Sequence, residues 1–327
     1  MNRSLLPFSL KSTKLKYSLG IVALALIILY GLLPSIHSFG FNLRLSFPKY
    51  WSLVIYGVFI FYLTFILSTL SYGFLALAKI KRRQLLLVQM ASTSLSLLLP
   101  AGIGNISLNY LYLRNKLHNQ AQAGLVIALN NSIGVVANLS LLIVLLLVFG
   151  INNRVVSTYS MHHQYLYPAI AVLVVLTVIT YWLLRSHIKK VITLRKQFIS
   201  AISQYHGRLG SLAKAYTCAL AQAAVTAFVF WLCLSAYGIR LDYPLAFLIY
   251  SLSVLVGAII PTPGGLGGVE ASLTAGVVAT HSASASLALA AVLAYRVVSY
   301  WLPVAVGVVS LGAVERLRLI KWDKRLS

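Results

Sequence analysis

Apolar runs separated by short polar clamps set the pattern of this chain. A run of about twenty apolar residues crosses the ~30 Å hydrocarbon core of a bilayer as a helix. Six runs reach that length: Tyr17 to Ile36, Trp51 to Ala78, Ala121 to Gly150, Tyr167 to Leu184, Ala215 to Tyr237 and Leu287 to Ala313. Two more apolar stretches are interrupted. Leu85 to Leu113 is broken at Pro100, Gly102 and Gly104, and Leu245 to Ala285 at Pro261, Pro263, Gly264, Gly265, Gly267 and Gly268. At ~1.5 Å per residue the arms of the first, about fifteen and nine residues long, are each too short to span. The pattern predicts an all-α integral membrane protein of about six transmembrane helices plus two re-entrant hairpins. Eight plain spans are the alternative.

Composition strengthens this picture. The chain is 60% hydrophobic and 9% charged, where a soluble domain sits near 45–50% and about 25%. The 327 residues therefore read as one polytopic membrane domain. Its N-terminal run follows Lys11, Lys14 and Lys16. That pattern resembles a signal peptide, but without a clear small-residue cleavage site it reads as an uncleaved first span.

Charge sets the expected topology. Lys and Arg number 27 against four Asp and Glu, a formal net charge of +23. No basic domain stands clear of the apolar runs, so nucleic acid is not an expected partner. The basic residues cluster in the N-terminal tail, in the clamp Lys79 to Gln84, between Arg185 and Lys214, and in the C-terminal tail. The positive-inside rule puts all four, and both termini, in the cytoplasm, with the cytoplasmic (inner) membrane as location. Arg114 and Lys116 join them only if Leu85–Leu113 enters and returns from the same side.

The two interruptions resemble each other. Pro100-Ala101-Gly102-Ile103-Gly104 aligns with Pro263-Gly264-Gly265-Leu266-Gly267, and Ser94-Leu95-Ser96 with Ser251-Leu252-Ser253. Each follows two spans and precedes one, giving halves of about 17–150 and 167–313 that face opposite ways. Paired Gly/Pro breaks in an inverted repeat point to a transporter-type binding site. Broken backbone at membrane depth survives only buried in protein or lining a wet cavity. A helix starting near Gly268 would turn its partly positive end toward an anion.

Candidate chemistry is sparse. Glu270 is the one acid inside an apolar stretch; Asp242, Glu315 and Asp323 fall in loops or near span ends. A charge in a span costs at least about 2.5–3.5 kcal/mol, so its retention points to a task. It reads as a proton-coupling or headgroup-contacting carboxylate, or as a helix-start acid held by the dipole and Arg296. Arg296, some nine residues into the last span, should face inward toward Glu270 or a lipid phosphate. Arg114 reads as a phosphate contact or an interface anchor. Asn130, Asn131 and Ser132 read as bonds between helices. Adjacent His162 and His163 are a weak metal signal. Cys218 and Cys233 lie about four turns apart in one run and should not bridge. No Gly-x-x-x-x-Gly-Lys-Ser/Thr loop occurs, which argues against a nucleotide-driven pump. No metal or cofactor is expected.

The string Pro261-Thr262-Pro263-Gly264-Gly265-Leu266-Gly267-Gly268-Val269-Glu270, followed by Arg296, resembles the signature of the lysylphosphatidylglycerol synthase transmembrane-region family. Pro100 to Gly104 with Arg114 resembles that family's first-half motif. The resemblance implies a lipid-flippase-like domain over nearly the whole chain. In the family's bacterial multiple peptide resistance factors this domain is joined to a lysyl-transferring synthase. The 327 residues here hold no such domain, and aminoacyl transfer is not carried over. Stand-alone relatives often sit beside glycosyltransferases or lipid-modifying enzymes, which become candidate partners. Asn105 and Ser107 stand where the second half has Gly268 and Glu270, so the halves are not chemically equivalent.

The expected function is transfer of an anionic phospholipid or polyprenyl-phosphate-type lipid between leaflets. Glu270, Arg296, Arg114 and the two Pro/Gly breaks (Pro100, Gly102, Gly104; Pro263, Gly264, Gly265, Gly267, Gly268) would form the lipid site. A membrane-bound enzyme or accessory subunit of lipid or lipid-linked glycan modification is the alternative. One intramembrane acid leaves acid–base chemistry little to work with.

Overall fold

The computed structural model describes residues 47–76, 78–99, 103–117, 120–150, 207–259 and 262–320, and among these it is all helix and connecting turns, with no strand. The expected spans at Tyr17–Ile36 and Tyr167–Leu184, the pair His162 and His163, and Pro100, Gly102 and Pro261 lie outside the described residues.

Where hydrocarbon offers no hydrogen-bond partner, the backbone must satisfy itself, and the helix does so within one segment. Among the described residues, four helical stretches are long and apolar enough to cross a membrane: Trp51–Leu75, Gln120–Leu145, Leu209–Ala236 and Ala285–Arg316. The first is α1. Its threonine hydroxyls turn back on their own helix, Thr64 Oγ1 donating to Phe61 O at 2.6 Å and Thr69 Oγ1 to Phe65 O at 2.7 Å. Ile55, Tyr56, Phe59, Leu63 and Ile66 form an exposed stripe, apolar outside as a lipid-facing surface should be. Tyr50 and Trp51, exposed at its start, suit an interface belt.

The other elements are α2 (Arg82–Leu98), α3 (Ile103–Leu117), α4 (Gln120–Gly150), α5 (Leu209–Ala236), α6 (Tyr243–Ile259), α7 (Gly268–Ala279), α8 (Ala285–Arg296) and α9 (Leu302–Arg316). A π-helical turn, Val297–Trp301, joins α8 to α9. Pro303, buried in the first turn of α9, lacks the N–H that a regular ladder would use. Cys218 and Cys233 are free and buried in α5.

Two boundaries differ from expectation. Helix α3 runs through Arg114 to Leu117 instead of stopping at Leu113. Arg and Lys are good helix formers, and the Lys116 ammonium lies 5.9 Å from the Tyr112 ring one turn back. Helix α5 begins at Leu209, six residues before the apolar run. The Lys214 ammonium there lies 5.8 Å from the Phe74 ring, so its stem covers apolar surface while the charge stays near the rim.

Helices α1 and α5 pack closely and antiparallel. Tyr50 N donates to Ala236 O at 3.0 Å at one end, and Lys214 meets Phe74 at the other. Helices α2 and α3 also pair antiparallel: Gln89 Nε2 donates to Asn109 Oδ1 at 2.7 Å and Asn109 Nδ2 to Ser92 Oγ at 3.1 Å. Asn109 Nδ2 also reaches Asn105 Oδ1 at 2.6 Å, and Ser68 Oγ of α1 donates to Gln89 Oε1 at 3.0 Å. Gly104 sits against the α2 backbone, where a Cβ would overlap the Leu95 carbonyl. Helices α6 and α7 pair likewise, with Gly257 beside Val269 near the turn and Gly276 beside Ile249 farther out.

Two apolar clusters hold the ends of the bundle. Leu75, Leu85, Leu113, Ala215, Val314 and Ile320 meet in one. Val229, Phe230, Ile239, Leu241, Val277 and Ala288 meet in the other. The free ends of α2 and α3 therefore lie beside the first cluster, and those of α6 and α7 beside the second. Lys79 to Arg83, Arg114, Lys116, Arg208, Lys214, Arg316 and Arg318 follow their helices to the first end, while Lys49 and Arg240 sit at the other.

Candidate functional site

The second Pro/Gly break builds a turn that no ordinary side chain could enter. Pro263–Gly265 is a single 3₁₀ turn in which Gly264 has φ 57°, a left-handed conformation that glycine adopts without strain. A Cβ on Gly264 would overlap the Tyr300 ring. Gly267 then caps α7 with φ 87°, and Gly268 opens the helix.

Glu270 stands in the first turn of α7 and reaches back, its Oε2 accepting from Gly267 N at 2.7 Å. A carboxylate at this end also meets the positive end of the helix dipole. The other oxygen, Oε1, accepts from Arg296 Nε at 2.6 Å. Glu270 and Arg296 are 6% and 7% exposed, so each charge is matched inside the protein. Their separation in sequence is closed by the turn after α7, where Ser284 caps α8 and sends it back alongside α7.

Arg296 does more than pair with Glu270. Its Nη2 donates to Gly264 O at 3.0 Å, tying the turn to α8. Its Cζ lies 4.8 Å from the centroid of the Tyr300 ring, a cation–π contact. The Tyr300 hydroxyl donates to Leu97 O at 3.0 Å, in the last turn of α2. The tips of the two helical pairs therefore abut at Gly264, Tyr300 and Leu97. Beyond them, α9 lies close on α2: Ser94 Oγ donates to Val304 O at 3.1 Å, and a Cβ on Gly307 would overlap the Ser94 side chain.

The expected residues are thus only partly assembled. Glu270, Arg296, Pro263, Gly264, Gly265, Gly267 and Gly268 form one contiguous turn and ion pair. Gly104 lies at the opposing tip. Arg114 is ten residues farther along α3, about 15 Å of helix, and sits at the basic end away from the ion pair. Pro100 and Gly102 lie outside the described residues. Asn130 makes an interhelical bond, accepting from Ser71 Oγ at 2.7 Å, while Asn131 and Ser132 are exposed.

Two features escaped the sequence reading. Tyr300 touches Arg296, the Gly264 turn and α2 together; its position four residues after Arg296 on an inward-facing helix was the available signal. Gln89, Ser92, Asn105 and Asn109 form a polar network between α2 and α3. The spacings Gln89–Ser92 and Asn105–Asn109 place each pair on one helix face.

An arginine carries five N–H donors, and two of those on Arg296 are engaged among the described residues. The arrangement is a guanidinium held by a carboxylate at the junction of two broken helical pairs. Such a group can accept an anion or exchange one carboxylate for another.

A stretch of 79 residues is 40% identical to "Uncharacterized protein slr0712" of Synechocystis sp. (strain ATCC 27184 / PCC 6803 / Kazusa) and covers 24% of each chain. No solved structure matches the chain. Residues 13–307, which include both Pro/Gly breaks, Glu270 and Arg296, match the family described as "Lysylphosphatidylglycerol synthase TM region". The protein is therefore a multi-pass membrane protein that belongs to the lysylphosphatidylglycerol synthase TM-region family.

Proposed function

We propose that this protein is a flippase-like transporter that moves an anionic phospholipid or polyprenyl-phosphate-type lipid across the cytoplasmic membrane. Both termini are in the cytoplasm, and the helical pairs α2–α3 and α6–α7 dip into the bilayer from opposite faces as halves of an inverted repeat. The observation that carries this reading is the buried Glu270–Arg296 pair at the junction of the two tips. A lipid headgroup crossing the bilayer brings its phosphate to the midplane, where an unpaired charge is expensive. Arg296 offers that phosphate a matched partner. Glu270 returns the arginine to a neutral pair when no phosphate is present.

Three further features support the reading. The family's name ties its transmembrane region to a phosphatidylglycerol-derived lipid. The antiparallel packing of α1 on α5 is what a two-fold axis in the membrane plane would produce. Among the described residues, most basic side chains outside the ion pair gather at one end, as the positive-inside rule expects.

The test is a leaflet assay on the full chain in proteoliposomes, with phosphatidylglycerol labelled on an acyl chain and external dithionite as quencher. Glu270→Gln and Arg296→Gln should each slow transfer by at least tenfold, about 1.4 kcal/mol. Transfer at the native rate in both variants rejects the proposed roles.

A further inference from the structure

A cavity of about 480 Å³ opens at the basic end of the bundle, remote from the ion pair. Its cationic wall is Lys79, Arg82 and Arg208, and its apolar wall includes Leu70, Phe74 and Leu85. The three cations come from three different places in the chain: the connector after α1, the first residue of α2 and the residue that precedes α5. Local bonds fix the helix starts beside Arg82 and Arg208. Gln84 N and Leu85 N donate to Lys81 O at 3.0 and 3.1 Å, and Ser211 N donates to Arg208 O at 2.9 Å.

Among the described residues these cations have no acid beside them. The chain has four acidic residues. Glu270 is committed to Arg296, Asp242 lies at the other end of the bundle, and Asp323 is outside the described residues. Glu315, near the end of α9, makes no ion pair among the described residues. None of Lys79, Arg82 and Arg208 makes an ion pair among them either. Converging like charges repel, and an anion seated between them relieves that repulsion.

The apolar wall decides which anion. Leu70 and Phe74 belong to the last turns of a membrane-crossing helix, so the cavity joins the end of a hydrocarbon-spanning segment to a cationic rim. A free phosphate ion would use the rim and leave the wall idle. A phospholipid uses both. Basic pockets between transmembrane helices on the cytoplasmic side are suited to anionic headgroups.

We propose that this cavity is an interfacial binding site for one anionic phospholipid, its phosphate among Lys79, Arg82 and Arg208 and an acyl chain along Leu70 and Phe74. The site is separate from the ion pair and does not depend on transport there. It holds a lipid at the leaflet whose negative surface charge attracts the basic end.

The test titrates the full chain, purified in neutral detergent, with dioleoylphosphatidylglycerol and counts bound lipids by native mass spectrometry. The triple variant Lys79→Gln/Arg82→Gln/Arg208→Gln should lose one saturable lipid, its affinity falling about a hundredfold. The charge-keeping triple Lys79→Arg/Arg82→Lys/Arg208→Lys should retain it, which separates charge from folding. Removing the same charge from residues that do not line the cavity, in Lys49→Gln/Arg240→Gln/Arg316→Gln, should change the affinity by less than about twofold. Dioleoylphosphatidylcholine should bind there far more weakly, and millimolar inorganic phosphate should not displace the bound lipid. Undiminished binding in the first triple, or equal binding of phosphatidylcholine, overturns the site. Displacement by inorganic phosphate overturns the lipid assignment in favour of a free ion. The difference between the triple variants involves neither Glu270 nor Arg296, so it stands or fails apart from the transport reading.

Discussion

The Tyr300 hydroxyl donates to the carbonyl of Leu97 at 3.0 Å, joining the helix that carries Arg296 to the last turn of α2, 203 residues earlier. The same ring lies under the Arg296 guanidinium and against Gly264. One side chain thus couples the ion pair to both tips. Tyr300→Phe keeps the ring and removes only the bond to Leu97. It should lower stability by about 0.5–1.5 kcal/mol, measured as a thermal midpoint in detergent. Tyr300→Leu also removes the cation–π contact and should lower it further.

The Glu270–Arg296 pair predicts an ordering among variants. Arg296→Ala strands a buried carboxylate and should destabilise by about 3–5 kcal/mol. Glu270→Gln can still accept from Gly267 N but leaves the arginine charge unmatched. The double variant Glu270→Gln/Arg296→Gln removes both charges and should melt above Arg296→Ala. A double variant that melts no higher than Arg296→Ala contradicts the pairing as drawn.

Glycine substitutions should sort by space and backbone. Gly264→Ala meets the Tyr300 ring at a left-handed φ, and Gly104→Ala meets the α2 backbone. Both should reduce folded yield sharply. Gly134→Ala in α4 has nothing within 4 Å of its new Cβ, and should be neutral or gain about 1 kcal/mol from helix propensity. Fluorescence-detected size exclusion of the three variants gives the comparison.

Asn109 is fully buried between Gln89, Ser92 and Asn105. Asn109→Leu would orphan the Gln89 amide and should destabilise by about 1–3 kcal/mol. Adding Gln89→Leu should recover part of that loss, because both partners are then apolar. Thermal midpoints of the single and double variants provide the readout.

The helical pairs also predict a labelling pattern. With Cys218 and Cys233 replaced by Ala, single cysteines at Arg83, Lys116 and Lys214 should react with a membrane-impermeant maleimide from one side, and one at Arg240 from the other. Reaction of Lys116→Cys from the Arg240 side would turn α2–α3 into a crossing segment and remove the hairpin reading.

Much of the architecture was legible in the sequence because lipid imposes a one-dimensional rule. A segment that crosses hydrocarbon must be apolar throughout and must satisfy its own backbone, so α1, α4, α5 and the α8–α9 span appear as runs. The charge of Arg114 and Lys116, set against the short arms around Gly104, already implied a fold-back. Boundaries were less legible. Residues such as Lys214 and Lys116 extend helices past the apolar run, because a long charged side chain can stretch its head to the rim while its stem stays covered.

The sequence by itself determined the class of protein, the two broken segments, and the singularity of Glu270 and Arg296, since a lone acid stands out within apolar residues. Only the tertiary structure decided which atoms meet. Residues 26 apart became a 2.6 Å pair, Arg114 was set aside at the basic end, and Tyr300 and Leu97 were joined across 203 residues. Composition and periodicity report what each segment must bury. They do not report the rotation of one helix against another, which depends on small residues such as Gly264 and Gly307 letting backbones approach. That rotation selects the partner each polar group finds.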